Sequence, residues 1–290
     1  EWWTVLQQDL GSAGRMPNLQ PVKWTNDWPV VGNKGVPYTA YNKPATGEPQ
    51  PKASLPTNDN FRSYPLGMQW EWNHNPDNGA WSLFERPGWL RLRPSGTAER
   101  LTEARNMLTQ RIFCFTDKTS LGTVRLDVSH LAEGDRAGIC IFQDPYAMIA
   151  AERQDGKLKL SWRQDTLTHL SDFTPAEKTV ELADTDIVYL RAMYSYATGQ
   201  TKFYYSLNNV RFTPLGETTT LRYNLSVFVG ARFGLFCYST TPGSEGYADF
   251  DWFSTESKFD EANYYPADFQ GYSEDMLTVD RLAVDAAACE

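Results

Sequence analysis

The sequence predicts an all-β protein, a jelly-roll β-sandwich made of two packed antiparallel sheets. Aromatic residues make up 14% of the chain, and they are spread over short segments in which apolar and polar residues alternate. Clusters of turn residues separate these segments, as expected for strands joined by short connections. No stretch has a pattern that demands a long helix. Strands with one apolar face each can bury those faces only by packing two sheets together.

The composition excludes several classes of function. The chain has 290 residues, enough for one large or two smaller domains, with a net charge of -9 and a pI near 5.0. Nucleic acid is an improbable partner, because no basic stripe is available to neutralise phosphates. The apolar runs are only as long as strands, so we expect no membrane span. The N-terminal EWWTVLQQDL lacks the basic start and long apolar core of a signal peptide.

Residues 66–93 predict two β-hairpin elements in tandem. Trp70 and Trp72 are two residues apart and would share a strand face. Residues 75–79, NPDNG, are turn residues, because Pro fixes φ and Asn and Gly tolerate positive φ. The short strand WSLFE follows, and the RPG of residues 86–88 suits a type II turn.

Later segments show the same period of two. On each strand one set of apolar residues should face the core, and the predicted sets are Leu90 with Leu92, Val124 with Leu126 and Val128, Ile139 with Ile141, and Leu158 with Leu160 and Trp162. Cys140 and Phe142 fall on the other face of their strand. Residues 197–199, ATG, should close another hairpin.

The string QWEWNHNPDNGAWSLFERPGWLRLR (69–93) resembles the start of the C-terminal β-sandwich of glycoside hydrolase family 43 β-xylosidases and α-L-arabinofuranosidases. The likeness continues, in order, through ARNMLTQR (104–111), GDRAGICIFQ (134–143) and ADFDWF (248–253), over about two thirds of the chain. It implies a concanavalin A-like jelly-roll, a module also classed as carbohydrate-binding module family 91 and associated with xylan.

The resemblance also divides the chain. Residues 1–32 resemble the last blade of the family's five-bladed β-propeller, and residues 33–60 form a Pro-rich linker with five prolines. Residues 61–255 would be the sandwich, and residues 256–290 an acidic C-terminal extension. The segment MLTVDRLAVD in that extension alternates like the first strand of a further module.

The N-terminal segment carries one residue that the resemblance links to the substrate. The family's last blade has a Gly-Arg followed by a Leu-Gln-Pro-Val pattern, matched here by Gly14-Arg15 and residues 19–22. In the family this arginine reaches the active-site pocket, so Arg15 is a candidate substrate-binding residue; the alternative is a structural arginine. Hydrolysis needs two placed carboxylates, and the family's two aspartates and glutamate lie on earlier blades, so none maps onto this chain. We expect no catalytic residue here.

Aromatic and planar polar residues on the sandwich are candidate sugar contacts, because aromatic rings stack on the C–H faces of sugars. The candidates are Trp70, Trp72, Asn73, Arg105, Gln110, Trp162, Tyr204 and Tyr238. The alternative for each aromatic residue is a place in the core. The family's sandwich also lends a loop to the rim of the catalytic pocket, and the matching loop lies near residues 230–233, with Arg232 where the family often has an aromatic residue.

A structural Ca²⁺ is a further expectation, because concanavalin A-like sandwiches often bind one near their termini. Asp249 and Asp251 alternate on the last strand, and Asp59 or Asn60 would complete the site. The alternative is an edge strand protected by its charges. Cys114, Cys140 and Cys237 lie in apolar runs and are predicted to be buried, although a Cys114–Cys140 disulfide stays open; Cys289 lies near the C-terminus.

Three functions remain compatible with the sequence. The first is an accessory portion of a family 43 hydrolase that binds xylan or arabinoxylan oligosaccharides or shapes the catalytic pocket, docked on the missing propeller. The second is an active glycosidase whose catalytic blades come from a separate chain. The third is a structural spacer without sugar affinity. The resemblance alone suggests a secreted or periplasmic protein of bacterial origin.

Overall fold

A computed structural model describes residues 1–45, 47, 57–112, 119–225, 227 and 229–256. Cys114, Cys289 and the extension beyond Glu256 lie outside the described residues, so the further module stays a prediction. The Cys114–Cys140 disulfide that the sequence left open is not formed, because Cys140 carries a free thiol. Cys140 and Cys237 are free and buried.

Almost all regular structure in the described residues is antiparallel β-sheet. The strands are β1 (Trp2–Asp9), β2 (Arg15–Thr25), β3 (Trp28–Val31), β4 (Trp70–Trp72), β5 (Trp81–Ser82), β6 (Leu90–Leu92), β7 (Leu108–Arg111), β8 (Thr119–Asp127), β9 (Asp135–Phe142), β10 (Tyr146–Gln154), β11 (Lys157–Asp165), β12 (Ala176–Glu181), β13 (Ile187–Ser195), β14 (Gln200–Ser206), β15 (Thr213–Pro214), β16 (Thr219–Thr220), β17 (Arg232–Ser239) and β18 (Ala248–Glu256). The helical turns, Gly11–Ala13 and Leu101–Glu103, are single 3₁₀ turns. No described helix has the length and apolar character needed to cross a membrane.

The N-terminal strands form a small sheet of their own, in the order β1-β2-β3. A tight turn joins β2 to β3, and Asn26 and Asp27 take up its positive φ angles of 50° and 60°. The linker begins along this sheet, because the side-chain amide of Gln20 exchanges two hydrogen bonds with the Tyr38 backbone, at 2.7 and 2.9 Å. Large apolar side chains of the sheet remain exposed, namely Trp2, Val5, Leu6, Leu19, Trp24 and Trp28.

The rest of the described chain forms two stacked sheets, as the fold prediction requires. A seven-stranded sheet has the order β12-β11-β10-β9-β17-β7-β4, and an eight-stranded sheet has the order β15-β14-β13-β8-β18-β6-β5, with β16 paired to β14. Apolar side chains from the inner faces of both sheets form the main core, including all the core-facing sets predicted from the period of two. The predicted all-β sandwich is confirmed.

The outer face of the seven-stranded sheet carries a second, smaller core. Residues 98–107 cross over β9 and β17, and Leu101 and Met107 pack there on Cys140, Phe142 and Phe236. Cys140 and Phe142 therefore lie opposite Ile139 and Ile141, as alternation predicts. The groove described below lies on the same outer face, along β10–β12.

The predicted turns are present, but only the second of the two predicted hairpins forms. Strand β5 pairs with β6, whereas β4 pairs with β7 in the other sheet, so residues 75–79 lead from one sheet to the other instead of closing a hairpin. The predicted strand WSLFE is also shorter than expected. Gly88 has a φ of 80°, and the Trp89 N–H donates to the Arg86 carbonyl at 3.1 Å, as in a type II turn. In WSLFE the strand ends at Ser82, because the Ser82 hydroxyl accepts hydrogen bonds from the backbone N–H groups of Phe84 and Glu85 at 3.0 and 3.1 Å. These side-chain bonds replace the ladder with a turn.

Candidate functional site

Arg15 lies where the N-terminal sheet meets the sandwich. Asp9 and Arg15 face each other at the end of the β1–β2 hairpin, and the Arg15 Nε donates to Asp9 Oδ1 at 3.0 Å. Tyr223 comes from the sandwich, 208 residues further along the chain, and its hydroxyl donates to Asp9 Oδ2 at 3.2 Å. The same hydroxyl accepts from Arg15 Nη2 at 3.5 Å. The Arg15 side chain, 29% exposed, is thus held from both parts of the protein.

The electrostatics of this triangle favour a permanent cation. Hydrogen bonds from Arg15 to the Tyr223 hydroxyl and to the Asp9 carboxylate raise the pKa of Arg15 above its ordinary value. A planar guanidinium of this kind can donate paired hydrogen bonds to sugar hydroxyls or to a carboxylate. The arrangement can therefore bind and orient a ligand.

Tyr223 belongs to a loop that packs against the N-terminal hairpin. We call its described residues, 222–225, 227 and 229–230, the rim loop. Just after it, the Ala231 N–H donates to the Ser12 carbonyl at 2.9 Å, and a Cβ on Gly230 would lie 2.1 Å from the Ala13 oxygen. A cavity of about 380 Å³ lies beside this seam, lined in part by Ser12, Tyr196 and Tyr223.

A second site is a groove of about 290 Å³ on the outer face of the seven-stranded sheet. One wall is formed by residues 99–101, and the other lies along β11 and β12. The charged side chains that line it are Glu99, Arg100, Arg163, Asp165 and Glu177, and the tyrosines are Tyr146 and Tyr238. Burial raises the pKa of both tyrosines, so their hydroxyls stay protonated.

Ion pairs hold the charged groups of the groove in place. Arg163 Nη2 donates to Glu152 Oε2 at 2.9 Å and to Glu177 Oε1 at 2.7 Å. Arg100 Nε donates to Asp165 Oδ2 at 2.8 Å. Two arginines and three carboxylates line the groove, so its charge does not favour an anion. The groove offers fixed donors and acceptors side by side, which suits vicinal hydroxyl groups.

The aromatic residues predicted to stack on sugar are mostly buried. Trp162 has no exposed surface and Trp70 is 8% exposed, and both belong to the main core. Tyr204 packs with Leu121 and Met193 on the outer face of the eight-stranded sheet. A ring without exposed surface cannot stack on a sugar, so these assignments need correction. Tyr238 is also almost fully buried, although it reaches the groove.

The predicted polar contacts lie on different surfaces. Gln110 is buried beside Trp70, its pairing partner on β4, and donates to the Thr57 carbonyl at 2.9 Å, so it is not available to a sugar. Arg232 and Asn73 do meet, at 3.0 Å between Nη2 and Oδ1, but Arg232 is the first residue of β17 rather than part of the rim loop.

Two further candidates keep some exposure away from both sites. Arg105 is exposed and donates to the Asn75 carbonyl at 3.2 Å. Trp72 is half-buried against the ring of Trp81, with centroids 5.2 Å apart. The predicted contacts therefore do not form one surface.

The residues predicted to bind calcium do not fit a cation, because arginines already occupy their carboxylates. Arg91 binds Asp249 with two hydrogen bonds, at 2.7 and 2.8 Å, and Asp251 is paired with Arg125. A bulge at Asp251 places both Phe250 and Phe253 in the core and both aspartates on the outer face.

Asp59 and Asn60 do not complete the set. Asp59 pairs with the last strand at Phe253, but its Oδ2 accepts from the Trp70 indole N–H at 2.7 Å and its Oδ1 from the Phe61 N–H at 2.8 Å. The Asn60 side chain accepts from the Arg62 N–H at 3.3 Å. In the described part of the chain no group of three or more His, Cys, Asp or Glu side chains could hold a metal ion.

Apart from Arg15 and Tyr238, the residues that build the two sites were not predicted from the sequence. Asp9 and Tyr223 carried no signal, because their contact with Arg15 joins distant segments. Arg163 could have been found, since alternation places it opposite Leu160 and Trp162, on an outward face that also carries Ser161.

Comparisons with known proteins agree with the fold. Residues 58–256 match the β-xylosidase C-terminal concanavalin A-like domain of glycoside hydrolase family 43. A β-xylosidase of Formosa agariphila is 33% identical over 286 residues, which cover 87% of this chain and 45% of that protein. A non-reducing end α-L-arabinofuranosidase of Bacteroides ovatus is 26% identical, with 87% of this chain and 48% of that protein covered.

The solved structures include a bifunctional GH43-CE protein of Bacteroides eggerthii. It is 35% identical, with a TM-score of 0.76, and the match covers 89% of this chain and 33% of that one. The chain therefore spans less than half the length of each of these relatives.

Proposed function

The chain belongs to the family of β-xylosidase C-terminal concanavalin A-like domains of glycoside hydrolase family 43, and we propose that it is the accessory portion of such an enzyme, acting on xylan-type hemicellulose. Its sandwich would shape and brace the rim of the catalytic pocket. The match to 45% of the Formosa agariphila β-xylosidase supports a catalytic part elsewhere. So do the exposed apolar side chains of the N-terminal sheet, which suit packing against further propeller blades.

The observation that carries this proposal is the triangle of Arg15, Asp9 and Tyr223. The sandwich supplies the Tyr223 hydroxyl, which contacts both members of the N-terminal ion pair. In the proposed enzyme Arg15 points at substrate, so the sandwich adds the Tyr223 hydroxyl to the contact with Asp9 that orients this residue within the N-terminal sheet. Preorganised side chains of this kind bind substrate with less loss of conformational freedom.

The test compares Tyr223→Phe with Tyr64→Phe in the complete enzyme that carries this chain. Tyr64 is an exposed tyrosine that packs on Phe84, with ring centroids 4.9 Å apart, and contributes to neither site. Loss of the Tyr223 hydroxyl should lower kcat/KM for a nitrophenyl xyloside or arabinofuranoside about 2- to 10-fold, the effect of one hydrogen bond. Tyr64→Phe should leave kcat/KM unchanged. Equal values for both variants would contradict the role of the rim loop.

The groove favours a second candidate function, sugar binding by the sandwich itself. We propose that its fixed arginines and carboxylates bind the hydroxyl groups of xylan or arabinoxylan oligosaccharides. Arg163 and Glu177 present a donor and an acceptor 2.7 Å apart, close to the spacing that neighbouring hydroxyls can bridge. Of the aromatic residues predicted from the sequence, only Tyr238 lines this groove.

Titration calorimetry of the 290-residue chain with xylo- and arabino-oligosaccharides tests the groove. Glu177→Gln should weaken binding about 5- to 10-fold, because a charged acceptor is lost. Glu181→Gln is the matched control: Glu181 also lies on β12 and is also paired, to Lys157 at 3.0 Å, but does not line the groove. No binding by the unaltered chain, or equal loss in both variants, would rule the groove out.

A further inference from the structure

A carboxylate with no exposed surface lies beneath the rim loop. Asp144 follows β9 and is fully buried. Its Oδ1 accepts from the Leu167 backbone N–H at 2.9 Å. Its Oδ2 accepts from the Asn224 side-chain amide at 2.8 Å and from the Thr168 hydroxyl. Three donors compensate for the loss of water around this group.

The donors come from different segments, so Asp144 joins them. Leu167 and Thr168 follow β11, whereas Asn224 is the neighbour of Tyr223 in the rim loop. Asn224 also contacts the Thr168 hydroxyl, at 3.2 Å. The carboxylate thus ties the residue beside Tyr223 to the end of the paired strands β9–β11.

Other bonds hold the rim loop at its two ends. Gln143, the residue before Asp144, donates from its side-chain amide to the Val229 carbonyl. At the near end Arg222 pairs with Asp172 at 2.6 Å, between exposed side chains. The Arg222 pair is exposed to solvent and contributes little. Asp144 and Gln143 supply the buried attachments, at the middle and the far end of the loop.

We infer that Asp144 is a positioning residue, which fixes the rim loop and through it the Tyr223 hydroxyl against Arg15. Without its carboxylate, Asn224 loses a charged acceptor and the loop samples more conformations. Substrate binding must then order the loop, which weakens binding in the ground state and the transition state alike. This inference rests on the proposed function for its effect on catalysis, but not for its effect on the loop.

The first experiment measures amide hydrogen exchange in the 290-residue chain. Asp144→Asn and the milder Asn224→Ala should both speed exchange in the described residues of the rim loop. The matched control is Asp135→Asn, because Asp135 is equally buried at the opposite end of β9 and accepts from Ala132 N–H and the Ser244 hydroxyl at 2.9 and 2.6 Å. Asp135→Asn should leave exchange in the rim loop unchanged. Unchanged exchange in Asn224→Ala, or equal acceleration in the control, would overturn the inference.

The second experiment measures kinetics in the complete enzyme. Asn224→Ala should raise KM about 2- to 30-fold with kcat nearly unchanged, and Asp135→Asn should change neither. Tyr223→Phe separates the two claims. If Tyr223→Phe impairs the enzyme and Asn224→Ala does not, Asp144 has no positioning role. If Asp144→Asn speeds exchange in the rim loop but neither Tyr223→Phe nor Asn224→Ala alters kcat or KM, the proposed function fails. The inference that Asp144 fixes the loop then still stands.

Discussion

The seam between the N-terminal hairpin and the sandwich can be tested by adding one methyl group. Gly230 has ordinary backbone angles, since it is absent from the positive-φ glycines. An alanine there is strained only by its surroundings. Its Cβ would lie 2.1 Å from the Ala13 carbonyl oxygen and 2.8 Å from the Ala13 carbonyl carbon. Both are backbone atoms, which no side-chain rotation can move away.

Two effects lower the free energy of unfolding of Gly230→Ala. The two backbones must separate by about 1 Å, and overpacking of this kind costs roughly 1–3 kcal/mol. That separation also breaks the hydrogen bond between Ala231 and Ser12, 2.9 Å long, with a net value of about 0.5–1.5 kcal/mol. We therefore expect Gly230→Ala to lower the free energy of unfolding by about 2–4 kcal/mol.

Urea unfolding and hydrogen exchange measure the two consequences. Gly79→Ala is the control, because Gly79 also has ordinary φ and its Cβ would meet nothing closer than Asp77 Oδ1 at 3.4 Å. That variant should stay within about 0.5 kcal/mol of the unaltered chain. In Gly230→Ala, exchange should also quicken in the β1–β2 hairpin. Equal stability of the two variants, or an unchanged hairpin, would refute a tight seam at this position.

Two further predictions concern the sandwich. Gly216 has a φ of 93° and its Cβ would lie 2.1 Å from Trp162 Cγ, whereas Gly243, with a φ of 70°, has nothing within 4 Å. Both alanine variants carry the strain of a left-handed backbone, so the difference between them reports the clash with Trp162. Gly216→Ala should be less stable than Gly243→Ala by about 1–3 kcal/mol in thermal unfolding. Equal stability would mean that Gly216 does not pack on the indole. Burial raises the pKa of Asp59, although hydrogen bonds from Phe61 and Trp70 oppose the shift. The folded state therefore favours the protonated carboxyl group. This contribution to stability is complete below the pKa of Asp59 in the unfolded chain and is lost as the pH rises through its pKa in the folded protein. Relative to Asp59→Asn, the chain should therefore lose stability in urea unfolding as the pH rises above about 4, the ordinary pKa of an aspartate. A stability difference that does not depend on pH would contradict the assigned burial.

The fold could be predicted from the sequence, but the sugar-binding residues could not. The strands of the sandwich and the turn at Gly88 could be predicted because each is encoded by residues close together in the chain, and the family could be predicted because its motifs recur in order along the chain. The sugar contacts could not. Trp162 already shared a face with Leu158 and Leu160, and that alternation was better evidence for the core than its indole ring was for sugar binding.

The predicted calcium site failed for a related reason. Asp249 and Asp251 lie on one face, as their spacing suggests, but spacing says nothing about the opposite charges that approach from other strands. Arg91 comes from β6 and Arg125 from β8, the two neighbours of β18. Only the strand order brings these arginines to the carboxylates.

The sequence by itself determined most of the strands and their inward faces, because a period of two is a property of neighbouring residues. The family was indicated separately, by motifs that resemble those of its members. Tertiary structure decided which functional groups meet. Arg15 and Tyr223 are joined by a contact that spans 208 residues, and Asp144 collects donors from two loops that are distant in the chain. Such contacts depend on how the sheets and the N-terminal hairpin are arranged, and no local pattern carries that information.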